Sequence, residues 1–130
     1  MPAEVSDSEL EVLAELLAMK SSTAKDLSAR LAKSRPWAHS TVVTFLRRLE
    51  TKGLVEHTST AGQRAFLYKP TRRGRSLRRR ALADFMDRAF GGNPLPLVSS
   101  LLEDPKLTED QFTELRRLID DHSAERGRKS

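Results

Sequence analysis

The sequence contains no cysteine. That excludes a disulfide framework, a Cys-ligated zinc or copper site and a thiol nucleophile, and it fits a reducing compartment. Aromatic residues are scarce, with one Trp, one Tyr and five Phe, and with 38% hydrophobic residues the core should be modest. No apolar run approaches the ~18 residues that mark a membrane-spanning helix, and the N-terminus lacks the layout of a secretory signal. A cytoplasmic location is expected. The three histidines, His39, His57 and His122, are scattered, and no second ligand stands near them at metal-ligand spacing, so no metal or other cofactor is expected. No P-loop, dinucleotide-type glycine pattern or Ser/His/Asp arrangement is present, and an enzyme is not expected.

What the chain has is positive charge, unevenly placed. Hydrophobic residues make up 38% and charged residues 32% of the 130 positions, with a net charge of +5. Residues 1–90 hold 17 Lys/Arg against 10 Asp/Glu, whereas residues 91–130 hold 6 against 8. Between 30 and 80 the count is 14 against 2. Charge so concentrated attracts a polyanion through phosphate neutralisation and counterion release; the plainer reading is a solvated basic surface.

Periodicity and capping signals divide the chain into helices and one hairpin. Ser6-x-x-Glu9 is a capping box ahead of Leu10, Leu13, Leu16 and Leu17, predicting a first helix that ends near Lys20, before a Ser21-Ser22 turn. A second helix starts at Thr23, carries Leu27 and Leu31 on one face, and stops near Ser34 because Pro36 disfavours helix just before itself. A third starts near Ser40, a candidate N-cap. Its apolar stripe is Val42, Phe45, Leu46 and Leu49, and Gly53 stands at its left-handed exit. Two strands follow, over 54–58 and 65–69, around a polar loop with a basic tip at Arg64. The fold class expected is mainly α with a small β-hairpin: a winged helix-turn-helix over residues 1–70.

Beyond Pro70 lie three helical stretches. The first, over 71–90, opens with six arginines between Arg72 and Arg80 and continues with Leu82, Phe85, Met86 and Phe90. The second carries Leu97, Val98, Leu101 and Leu102, and the third, capped by Thr108-x-x-Gln111, carries Phe112, Leu115, Leu118 and Ile119. These stripes are too one-sided to fold alone, so residues 71–123 read as a dimerisation region in which a second copy supplies the cover. Packing on their own domain is the other reading. Residues 124–130 read as a polar, frayed tail.

A helix in the major groove beside a hairpin is the layout of a winged helix on double-stranded DNA. Arg48 can fork onto a guanine edge, and Thr41 and Thr44 can meet bases or phosphates. Arg47 is better placed for a phosphate. Arg64 reads either as a groove or phosphate contact or as a plain loop residue. Trp37 and Phe66 read as core, with Trp37 also able to bring its indole N–H to a phosphate, and Lys25 and Arg35 are further phosphate candidates. The Arg72–Arg80 run reads equally as a contact to flanking DNA or as a solvated segment. A non-specific, architectural DNA binder is the main alternative to a sequence reader.

The helix and exit STVVTFLRRLETKGLVEH, the opening SDSELEVLAELL, the pair AKDLSARL, Trp37 and the C-terminal FMDRAFGGNPLPLVSSLLEDPKLTEDQFTELRRLI together resemble the penicillinase-repressor (BlaI/MecI-type) family over residues 6–120. The resemblance implies a homodimeric repressor on two-fold operators, like regulators of β-lactam resistance genes. It puts DNA-facing residues at Ser40, Thr41, Val43, Thr44 and Arg48 and the wing at 62–64. Copper-responsive relatives carry a cysteine motif that this chain lacks. Lactam-responsive relatives are cut at an Asn-Phe bond by a membrane sensor-protease; the matching place here is Ser100-Leu101, a different bond.

Overall fold

The computed structural model describes residues 5–59, 62 and 65–129. It divides into two compact units, one running to Phe85 and the other beginning at Met86.

In the first unit, α1 (Asp7–Met19), α2 (Ala24–Leu31) and α3 (His39–Thr51) pack beside a small antiparallel sheet. Ser6 caps α1 through the reciprocal pair predicted: its hydroxyl accepts from the Glu9 N–H at 3.1 Å, and the Glu9 carboxylate accepts from the Ser6 N–H at 3.1 Å. Thr23 caps α2 by accepting from the Asp26 N–H at 3.1 Å. That helix ends at Leu31, short of the expected Ser34, because its last turn tightens: Lys33 and Ser34 donate to the carbonyls three residues back, Arg30 and Leu31. The N-cap of α3 is Ala38, not Ser40, and no side chain caps it. Its entry is set by packing, since the Trp37 ring lies 5.1 Å from that of Phe45.

The exit of α3 is a Schellman motif. Gly53 takes φ +76°, its N–H donates to Glu50 O, and the Leu54 N–H donates to Leu49 O, both at 2.9 Å. The chain then enters β2 (Val55–Ser59) and returns as β3 (Phe66–Pro70), each displaced by one residue from its predicted span. A third strand, β1 (Ser22–Thr23), sits where a turn was expected and pairs with Tyr68 and Leu67, giving the order β1-β3-β2. Two residues carry no periodic signal; only the pairing with β3 makes them a strand.

The core is mainly aliphatic. Val12, Leu13, Leu16, Leu27, Val42, Leu46, Leu49, Leu54 and Leu77 are fully buried. Leu77 belongs to α4 (Arg72–Phe90), whose first turns close over the exit of α3. Thr71 makes that junction: its hydroxyl donates to Gly53 O at 2.6 Å and accepts from the Gly74 N–H at 3.2 Å, while its own N–H donates to Leu54 O at 3.0 Å. A Cβ on Gly74 would stand 2.2 Å from the Leu54 carbonyl oxygen, so only glycine fits there.

The second unit holds the end of α4, α5 (Pro94–Leu102) and α6 (Glu109–Lys129). Gly91 and Gly92, both at positive φ, end α4; Asn93 caps α5, and Thr108 with Gln111 forms the predicted capping box of α6. The last helix runs through Lys129, past the fraying expected near Ser123. No proline interrupts it, and Arg126 and Arg128 oppose the carbonyl end of its dipole. From Met86 to Arg128 no side chain is buried in the single chain.

Candidate nucleic-acid interface

The buried stripe of α3 fixes its rotation. With Val42, Leu46 and Leu49 wholly inside, Ser40, Thr44, Arg47, Arg48 and Thr51 are exposed, and Thr41 and Val43 lie half-buried at the margins. All the residues predicted on this helix therefore share one outward arc.

The chemistry of that arc is more specific than its composition. The Thr44 hydroxyl donates to Ser40 O, and the Thr51 hydroxyl to Arg47 O, each at 2.9 Å. Their protons are taken up by the helix, so each threonine presents outward a methyl group and acceptor lone pairs. Arg47 and Arg48 make no hydrogen bond or ion pair with a described residue, which leaves their N–H groups free. The Arg48 guanidinium carbon lies 6.0 Å above the Phe45 ring.

Other cations near the helix are engaged. Arg35 grips Glu11 with two N–H groups, one at 2.8 Å, and lies 5.7 Å over the Trp37 ring. Hydrogen bonding to Glu11, with its charge, raises the Arg35 pKa still further. Lys52 binds both carboxylate oxygens of Glu9, at 2.8 and 3.1 Å. Burial alone would push the Glu9 carboxyl up, but hydrogen bonds from Lys52 and Ser6 outweigh it and hold the group below its ordinary range. Lys25 is exposed, and Trp37 is half-buried against Phe45.

On the sheet, Phe66 departs from expectation. It is 45% exposed, not core, because it pairs with Ser59 at the loop end of the hairpin. There it stacks on His57 at 4.3 Å. His57 in turn contacts the Glu50 carboxylate, joining β2 to α3. Neither this tie nor the Glu9–Lys52 pair has a sequence signal, since their partners lie 7 and 43 positions apart. A cleft of about 430 Å³ opens between α2, α3 and the sheet, with Lys25, His39, Arg47 and Phe66 on its walls. At the wing, Gly62 takes φ +81°; Arg64 lies outside the described residues.

Of the Arg72–Arg80 run, Arg72, Arg75, Arg78 and Arg79 are exposed, the burial of Gly74 and Leu77 having turned them out. The predicted dimerisation residues on α4 are Leu82 and Phe85, both exposed, and Met86 and Phe90, both half-buried. On α5, Leu101 and Leu102 are exposed and Leu97 is half-buried; on α6, Phe112 and Leu115 are half-buried and Leu118 and Ile119 exposed. Ser100 and Leu101 lie in the last turn of α5, so the bond between them is helical.

Comparison with known proteins gives one consistent answer. The penicillinase repressor of Bacillus licheniformis is 27% identical over 119 residues, covering 92% of this chain and 91% of that protein. The methicillin resistance regulatory protein MecI of Mammaliicoccus sciuri is 23% identical over 116 residues, covering 89% and 93%. Among solved structures, a cysteine-to-serine mutant of MarR from E. coli, complexed with operator DNA, aligns over 92% of this chain and 76% of that one, with a TM-score of 0.59 and 21% identity. That likeness shows a shared winged-helix fold. The family profile described as penicillinase repressor matches residues 5–121, and on that match the chain belongs to the penicillinase repressor family.

Proposed function

We propose that this chain is a homodimeric, sequence-specific transcriptional repressor that occupies two-fold operators. The observation that carries the reading is the outward arc of α3: two arginines with free N–H groups beside two threonines showing methyls and lone pairs, on a helix whose rotation the core dictates. Free guanidinium forks suit guanine edges, and methyls suit thymine. Family membership supplies the repressor role.

In this proposal residues 1–70 bind DNA, through Ser40, Thr41, Val43, Thr44, Arg47 and Arg48, with Trp37 and Arg64 as further contacts. Residues 71–123 form the dimer. An unburied C-terminal unit supports this, because its apolar faces need cover that a second copy provides. The named relatives concern penicillinase and methicillin resistance, so a β-lactam resistance gene is the proposed target. Release by a membrane sensor-protease at Ser100-Leu101 requires that turn of α5 to unwind. The proposed location is the cytoplasm; among the described residues no helix is long and apolar enough to cross a membrane.

Selection from a random duplex library at ~150 mM salt tests the reading, since non-specific binding there is only ~10⁻⁴–10⁻⁶ M. An enriched inverted repeat is expected. Binding without enrichment would instead make the chain an architectural binder led by the exposed arginines of α4.

A further inference from the structure

We infer that Phe45, backed by Trp37, is a positioning residue for DNA reading: its ring holds the Arg48 guanidinium in place on the open face of α3 before DNA arrives. Three observations converge. Phe45 belongs to the apolar stripe of α3, yet it is only half-buried where Val42, Leu46 and Leu49 are fully buried. One side of it meets the Trp37 ring at a tilt of 59° and a centroid separation of 5.1 Å, within the range of interacting aromatic pairs. Arg48 stands three residues on, the spacing that makes helical neighbours, with its guanidinium carbon 6.0 Å from the ring centre.

The platform is itself anchored. Arg35 covers Trp37 at 5.7 Å and is forked onto Glu11 of α1. A continuous set of contacts thus runs Glu11, Arg35, Trp37, Phe45, Arg48, ending at the residue proposed to meet a base. Stacking suits this purpose where an ion pair would not. A carboxylate partner would occupy the guanidinium N–H groups, whereas a ring face orients the plane and leaves all five donors available. An aliphatic side chain at 45 would fill the stripe equally well but offer no quadrupole.

The inference rests on Arg48 reading a base, so the experiment separates the two claims. Wild type, Phe45→Leu, Phe45→Tyr, Arg48→Ala and Phe45→Leu/Arg48→Ala are titrated by fluorescence anisotropy at ~150 mM salt against the selected operator, its single-base variants and a scrambled duplex. Arg48→Ala locates the base pair it reads; if it relaxes none, the base-reading role fails and this inference with it. If it relaxes one, Phe45→Leu is expected to lower discrimination at that same pair by about 3- to 10-fold. Phe45→Tyr should preserve it, and the double variant should match Arg48→Ala alone. Equal loss on operator and scrambled duplex, or additive effects, would reduce Phe45 to a packing residue and overturn the inference. Should Phe45→Leu fail to fold, the wild-type chain answers the question by NMR. Phe45 ring protons should show NOEs to the side-chain protons of Arg48, and their absence would equally overturn it.

Discussion

The ammonium of Lys52, at the C-cap of α3, lies 2.8 Å from a carboxylate oxygen of Glu9 in the first turn of α1. Glu9 is nearly all inside, and it also completes the Ser6 capping box. One buried carboxylate therefore fixes both the start of the fold and the end of the helix that faces outward.

The Glu9 carboxyl is held below its ordinary pKa in the folded chain. Its contribution to stability is therefore fully present above the unfolded value near 4.5 and is lost as pH falls through the lower folded value. Urea midpoints of wild type and Glu9→Gln, measured from pH 7 to pH 3, should show a wild-type advantage that shrinks below about 4.5. Lys52→Met, which leaves the carboxylate buried without its cation, should cost about 1–3 kcal/mol at pH 7. An advantage that stays constant with pH would remove Glu9 from this role.

Gly74→Ala is expected to destabilise by about 1–3 kcal/mol or more, because the added carbon meets a backbone carbonyl that cannot swing aside. Gly127→Ala is the natural control. Nothing lies within 4 Å of its Cβ position, and in an exposed helix it should stabilise by about 0.5–1 kcal/mol. Thermal melts of the two variants should move in opposite directions; two equal shifts would contradict the close approach of α4 to Leu54.

Arg47 and Arg48 should respond differently to removal. Arg48→Ala is expected to cost about 1–3 kcal/mol on the operator and to relax one base pair. Arg47→Ala should weaken all duplexes alike and lower the slope of log K against log salt by about one. Salt titrations of both variants on specific and scrambled duplexes would show an exchange of these patterns if the assignments were reversed.

Charge on the exposed apolar faces tests the dimer. Leu101 and Ile119 are 54% and 59% exposed in the single chain, so Leu101→Asp and Ile119→Asp should leave the first unit folded. Sedimentation should show a shift to monomer, and affinity for a full operator should fall towards that for a half-site. Intact dimers in both variants would place the contact elsewhere.

Much of this architecture was legible in the sequence because its signals are local. The Ser6, Thr23 and Thr108 caps, Gly53 at the α3 exit and the Val42/Leu46/Leu49 stripe each announce themselves within one or two turns, and all appear as read. The outward residues of α3 followed from that stripe, since burial of one face sets the other. The features without a local signal depend on contacts distant in sequence. Strand β1 exists only because Tyr68 and Leu67 run beside it. Phe66 reads as core in the sequence, but its place opposite Ser59, at the loop end of the hairpin, leaves it 45% exposed. The hydroxyl of Ser40 marks it as the start of α3, whereas Trp37 packing on Phe45 brings the chain into helix earlier.

The hydrogen bonds of Thr44 and Thr51 into their own helix have a thermodynamic consequence for any ligand that meets this face. A hydroxyl tied to the carbonyl four residues back fixes χ1 in advance, so those side chains surrender almost no rotational freedom on contact. Ordering costs at an interface run to about 0.5–1.5 kcal/mol for each immobilised, rotamer-rich side chain. Here they spare the threonines and fall on the longer side chains of the same face, so Thr44 and Thr51 act as fixed points of contact along α3.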